Sequence, residues 1–274
     1  MRKPIAILDS GVGGLTVAKE VMRQLPQEKM IYFGDTLRTP YGPRPQEEVR
    51  LFTRQIIDYL MRFEPKMMVI ACNTATAAAL EETRERLAIP VIGVVHPGAR
   101  AAINYSRRNL IGVIGTEGTI RSGAYENALK RIAPNVDVHS LACPTLVPLV
   151  ERGQTSGEET MQAVTDALAS LKSIPLDCLI LGCTHYPFLT DVIAQVMGPH
   201  VQLISSADET AREVSTILYH NGHLAQVSEP PVHQFFSSGD AELFRRIAMN
   251  WLGEELQKHP IAWQIAQMGE EGGV

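Results

Sequence analysis

Short apolar runs recur along the chain at residues 5–8, 30–33, 67–71, 91–95, 110–114, 136–141, 178–181 and 201–204. Runs of this length suit strands buried on both faces of a parallel sheet. Between them, apolar positions recur at helical spacing, as at residues 46–62 and 75–87, with Glu, Arg and Gln on the outward face. Those segments are read as crossover helices, and the predicted class is α/β. Beyond residue 205 the pattern changes to an amphipathic segment at 209–220, a polar stretch around Glu229-Pro230-Pro231 and a last helix at 241–256.

The chain also repeats itself. Ile5-Ala6-Ile7-Leu8-Asp9-Ser10-Gly11 is echoed by Ile111-Gly112-Val113-Ile114-Gly115-Thr116, and Val69-Ile70-Ala71-Cys72-Asn73-Thr74 by Leu179-Ile180-Leu181-Gly182-Cys183-Thr184-His185. In each case an apolar run ends in small or polar residues. This points to two similar parallel-sheet α/β units, although unrelated α/β sequences share such patterns. The expected division is a first domain of residues 1–97 plus 208–265, a second domain of residues 98–207 and a frayed tail at 266–274.

Composition narrows the function. With 274 residues, 45% hydrophobic and 20% charged, the chain can build a real core and is neither disordered nor fibrous. A net charge of −5 argues against broad attraction to nucleic acid or an anionic membrane, which leaves a small molecule as the expected partner. Cysteines stand only at positions 72, 143, 178 and 183, too few for a disulfide framework in a chain of this length. The start of the chain holds no apolar run long enough for a signal peptide, and no stretch is long enough to span a bilayer. Reduced thiols in the cytoplasm are therefore expected.

Ligands of parallel α/β sheets bind outside the carboxyl ends of the strands, and the sequence puts two thiols there. Cys72 and Cys183 each follow a predicted strand and precede polar residues that open a helix. A helix amino terminus favours a thiolate, while the plain alternative for each is a small buried hydrophobe. The turn Asp9-Ser10-Gly11-Val12-Gly13-Gly14 could cradle a phosphate, and Gly34-Asp35 could follow as a ribose-binding acid. The third fingerprint position falls on Thr16, and Asp9 brings a negative charge to the would-be phosphate site, so a nicotinamide cofactor is discounted. Cys178, Cys183 and His185 suggest a metal cluster, but a five-residue strand separates the two thiols by roughly 16 Å. No metal is expected, and Cys143 is assigned no role.

Taken in order, Asp9-Ser10-Gly11, Pro40-Tyr41-Gly42, Cys72-Asn73-Thr74 and Cys183-Thr184-His185 closely resemble the glutamate racemases of the cofactor-independent aspartate/glutamate racemase superfamily. The resemblance implies interconversion of L- and D-glutamate, supplying D-glutamate for peptidoglycan and so for cell-wall biogenesis and cell shape, in a bacterial cytoplasm. It further implies no cofactor, two α/β domains with the site in the cleft between them, and a homodimer. The chain begins almost at its first strand, so the amino-terminal extension of precursor-activated members is expected to be missing.

Racemisation removes the α-proton from one face of a carbon and returns a proton to the other, so one base per face is the simplest solution. Two sulfurs roughly 7 Å apart could flank such a carbon. A free thiol is little ionised at neutral pH and needs help. Asp9 beside Cys72 and His185 beside Cys183 are the candidate helpers, and the resemblance adds Glu151 on the second side. Asn73, Thr74 and Thr184, at two helix amino termini, suit a carbanion's carboxylate, and Thr116 and Thr119 could add hydroxyls, unless Thr119 only caps a helix. By resemblance, Ser10 and the Tyr41-Gly42 backbone lie at the substrate's polar ends, the latter at the side-chain carboxylate. No Lys or Arg stands beside these motifs, so neutral donors would bind both carboxylates. Other readings remain: a racemase or isomerase of the same superfamily acting on aspartate or another acidic substrate, a Cys183-His185 hydrolase, or a non-catalytic acidic amino-acid-binding module.

Overall fold

The computed structural model describes residues 3–226, 229–258 and 260–266. Its first stretch runs β1 (Ile5–Asp9), α1 (Leu15–Gln24), β2 (Met30–Gly34), α2 (Gln46–Met61), β3 (Met67–Ile70), α3 (Asn73–Arg86), β4 (Val91–Gly93) and α4 (Val95–Tyr105). There follow β5 (Leu110–Gly115), α5 (Glu117–Arg121), α6 (Ala124–Ile132), β6 (Asp137–Ala142), α7 (Leu146–Glu151) and α8 (Glu158–Ala167). The chain continues through β7 (Cys178–Gly182), a 3-10 turn at Tyr186–Leu189, α9 (Thr190–Met197), β8 (Gln202–Ser205), α10 (Ser206–His220), β9 (His233–Ser237), α11 (Ala241–Leu256) and β10 (Ile261–Ile265).

The strands form two sheets, of order β10-β9-β2-β1-β3-β4 and β6-β5-β7-β8. Every strand pairing is parallel. The order β2-β1-β3-β4 is repeated by β6-β5-β7-β8, so Cys72 after β3 and Cys183 after β7 stand at matching places. β1, β2, β3 and β7 are buried throughout, because helices cover both faces of their sheets. That explains why they read as unbroken apolar runs.

The structure departs from the sequence pattern at the sheet edges. β6 and β8 are edge strands with half-exposed or exposed positions, not strands buried on both faces. β9 and β10 extend the first sheet beyond β2 and were not predicted as strands. In His233-Gln234-Phe235-Phe236-Ser237 only the central pair is apolar, and β10 is a partly exposed edge. Ala266, placed in the expected tail, is buried, and its N–H donates to the Ser237 carbonyl at 2.8 Å. The rest of that expected tail, 267–274, lies outside the described residues.

Candidate active site

Asp9 ends β1, Cys72 stands just past β3, and Cys183 follows β7 directly, so all three lie at the carboxyl ends of their strands. The two sheets turn these ends toward one cavity of about 190 Å³. Ser10, Tyr41, Gly42, Cys72, Asn73 and Thr74 line it from the first sheet's side, and Thr116, Glu151, Cys183, Thr184 and His185 from the second's. No Lys or Arg is among the described residues that line it. Asp9 and Thr119 are fully buried behind this lining.

Cys72 is the N-cap of α3, its sulfur accepting from the Ala75 N–H at 3.4 Å. The helix amino terminus alone would favour a thiolate, but burial outweighs it. Burial, together with the nearby charge of Asp9, pushes the Cys72 thiol up to about 12, against the opposing bonds from Ala75 and Ser10. At neutral pH Cys72 therefore keeps its proton. Asp9 is itself shifted above the usual carboxylate range by burial, against the pull of His185 and of the Gly14 and Gly11 amides. Its Oδ2 accepts the Gly11 N–H at 2.9 Å, and its Oδ1 lies 3.5 Å from the Thr184 hydroxyl that donates to it across the cleft.

The second side is arranged differently. His185 Nδ1 lies 3.8 Å from the Cys183 sulfur, and Nε2 lies 3.5 Å from Glu151 Oε1, an ion-pair distance without a well-formed hydrogen bond. Burial would lower the His185 pKa. Its contacts with Cys183 and Glu151, and the charges of Cys183 and Asp9, outweigh that and raise it to about 10. His185 thus carries a proton at neutral pH beside the Cys183 sulfur. A protonated thiol on one side thus faces, from the other half, a sulfur set beside an imidazolium.

The polar lining is built of neutral donors. Asn73 Oδ1 accepts from the Tyr125 phenol at 2.7 Å, which leaves its NH₂ for the cavity. Thr74, Thr116 and Thr119 hydroxyls form a triangle with edges of 2.9, 3.3 and 3.0 Å. Thr116 is the N-cap of α5 and Thr119 stands inside that helix, so the cap is Thr116 and not Thr119. The Tyr41 side chain points away from the cavity to the Asp35 carboxylate, leaving its backbone on the wall.

The model of the Asp/Glu/hydantoin racemase family matches residues 14–214, a stretch that holds both thiols. The chain belongs to this family. It is 54% identical over 271 residues to a glutamate racemase of Exiguobacterium sibiricum, covering 99% of this chain and 98% of that protein. A glutamate racemase isoform from Bacillus anthracis superimposes with a TM-score of 0.91 at 50% identity, covering 95% of this chain and 96% of that one. The glutamate racemase of Francisella tularensis, solved in complex with D-glutamate, gives a TM-score of 0.89 at 33% identity, over 97% of this chain and 98% of that one.

Membership of the racemase family accounts for the glycines better than a phosphate does. A Cβ on Gly13 would lie 2.4 Å from Thr184 Oγ1 and 2.8 Å from His185 Nδ1, and one on Gly14 would lie 2.5 Å from the Asp9 Cβ. Glycine there lets the start of α1 press against the site. Sequence reasoning missed Tyr125, Ser206 and the apolar wall of Pro144, Val147 and Pro148. Their only sequence signal is position near a strand end (Ser206, Pro144), at the start of α6 (Tyr125) or in α7 (Val147, Pro148), too common to single them out. Cys143 and Cys178 are buried thiols pushed up to about 12 and about 11 by burial. Cys178 opens the strand that ends before Cys183, and among the described residues no group of His, Cys, Asp or Glu is arranged to hold a metal.

Proposed function

We propose that this chain interconverts L- and D-glutamate by two-base proton transfer between Cys72 and Cys183, without a cofactor. The observation that carries the reading is that two thiols from matching strand ends line one cavity in complementary states: one holds its proton, the other is paired with a protonated histidine. Two-base racemisation needs that pairing, because one group must accept a proton while the other gives one. In this reading Cys183 acts as the thiolate beside the His185 imidazolium: it takes the α-proton and becomes the thiol, while Cys72 delivers its proton to the opposite face of the carbanion and becomes the thiolate. In the reverse direction the roles exchange. Asp9, which accepts from Thr184, and His185, in contact with Cys183, are the groups placed to restore the starting proton distribution.

The α-proton of an amino acid is far less acidic than a thiol, so carbanion charge must be stabilised where it develops. Asn73, Thr74, Thr116 and Thr184 supply amide and hydroxyl donors, Ser10 and the Tyr41-Gly42 backbone hold the polar ends, and the substrate keeps its ammonium charge. Thr119 supports Thr74 and Thr116 from behind. Glu151 holds His185 in its charged form. The relatives, which are glutamate racemases, and the D-glutamate complexed with the Francisella tularensis protein support the choice of substrate.

The two sheets are read as two domains divided at residues 97–98 and 207–208, and the protein as a cytoplasmic homodimer feeding peptidoglycan synthesis. These readings rest on the resemblance; among the described residues no helix is long and apolar enough to cross a membrane. Incubating the purified protein with L-glutamate alone tests the activity. Optical rotation is expected to decay to zero as the enantiomers equalise, and a constant rotation with both enantiomers of glutamate would refute it.

A further inference from the structure

The acid after β2 carries out a task that its motif did not suggest. Asp35 is fully buried. Its Oδ2 accepts from Arg38 Nε at 2.7 Å and from the Tyr41 phenol, and its Oδ1 accepts from the Ser238 hydroxyl at 2.7 Å. Ser238 Oγ also accepts the Leu37 N–H at 3.0 Å, and Thr36 pairs with Ser237 at 2.7 Å. The turn after β2 is thus stapled to the turn after β9. Phe52 of α2 lies under the guanidinium of Arg38, 4.2 Å from its ring centre, and against the Tyr41 ring at 5.7 Å. Asp35, Ser237 and Ser238 thereby anchor the segment 36–44 through Thr36, Leu37, Arg38 and Tyr41, and residues 39–43 of it form one wall of the cavity.

The wall has a definite polarity. The Tyr41 carbonyl accepts from the Arg44 N–H at 3.1 Å, and the Gly42 carbonyl from the Gly118 N–H at 2.9 Å. Among the described residues, no hydrogen bond takes up the N–H of Tyr41 or of Gly42. Two adjacent amides are left free on a wall whose carbonyls are already committed, which is an anion-receiving arrangement. A Cβ on Gly118 would lie 2.9 Å from the Gly42 carbonyl oxygen, so the bond across the cleft depends on close approach.

We infer that Asp35 is the positioning residue for this wall: by holding Tyr41, Arg38 and Ser238 together it aims the Tyr41 and Gly42 amides at the side-chain carboxylate of the substrate. It touches no substrate. The inference rests on the proposed racemase reading, which places glutamate in the cavity. Because the distal carboxylate takes no part in the chemistry at the α-carbon, loosening its receiver weakens binding in the ground state and the transition state alike. KM then rises while kcat is largely kept.

Steady-state racemisation of L- and D-glutamate by the full chain tests this. Asp35→Asn is expected to raise KM at least tenfold for both enantiomers, with kcat within threefold of wild type. Tyr41→Phe, which removes only the phenol hydroxyl, should raise KM severalfold, and should add little in the Asp35→Asn background because its partner is already altered. Ser238→Ala should give a milder KM rise. If Asp35→Asn does not fold, Tyr41→Phe and Ser238→Ala decide the matter. KM values within twofold of wild type in the folded variants would overturn the inference. So would a fall in kcat at constant KM, or a lowered thermal midpoint with unchanged KM. A wild-type protein that racemises no glutamate would instead overturn the functional reading beneath it.

Discussion

Gly13 offers a sharp test of how α1 is tied to the chemistry. Its backbone lies outside the left-handed region, so Gly13→Ala is not strained by its own dihedrals. The added methyl would stand 2.4 Å from Thr184 Oγ1 and 2.8 Å from His185 Nδ1. Unstrained contacts of this kind lie near 3.5 Å, so the threonine hydroxyl must retreat by about 1 Å and the imidazole by somewhat less. A displacement of about 1 Å at reacting groups costs on the order of 10²-fold in rate. Stability should change much less: overpacking costs about 1–3 kcal/mol, and losing a glycine in the unfolded chain returns about 0.4–1 kcal/mol. The assay is polarimetric racemisation in both directions beside thermal unfolding. L- and D-glutamate have equal free energies in water, so kcat/KM must fall equally for both. Turnover within threefold of wild type would refute the close-approach role, and so would a rate loss matched by wholesale unfolding.

Cys72→Ala and Cys183→Ala should each abolish racemisation in both directions while leaving the circular dichroism spectrum and thermal midpoint near wild type; either variant turning over normally would remove that thiol from the mechanism. His185 gives a pH prediction, because its pKa is raised to about 10 in the folded protein, against about 6.5 when unfolded. Its contribution to stability is therefore complete below about pH 6.5 and fades as pH climbs toward 10. Urea midpoints of wild type and His185→Gln should converge over that window, and a constant difference would contradict the assignment. Glu151→Gln should lower the His185 pKa, read by NMR of the imidazole, and reduce turnover by roughly tenfold, in line with loss of about 1–2 kcal/mol of a charged contact.

The central strands were legible because helices bury them on both faces, and such strands betray themselves as unbroken apolar runs. β9 and β10 were not, since His233, Gln234 and Ser237 break the first run and β10 lies half open at the sheet edge. The thiols could be placed from the sequence because strand ends carry ligands in parallel sheets and the chain repeats its own strand order. Their electrostatic difference could not. It depends on burial and on Asp9, Glu151 and His185 converging from separate parts of the chain. The helix terminus at Cys72 pointed toward an activated thiolate, and in the folded protein desolvation overrides it. Asp35 was visible as an acid after a strand, but its link to Ser238 joins positions on opposite sides of the sequence.

Hydrogen exchange during a single pass most directly tests proton transfer between two separate sulfurs. Purified protein is given L-glutamate in deuterium oxide, and both enantiomers are sampled by mass spectrometry before equilibrium. The account predicts that newly formed D-glutamate carries deuterium at the α-carbon while the remaining L-glutamate stays mostly unlabelled. D-glutamate that keeps its original proton, or L-glutamate that gains label as fast as product forms, would contradict it.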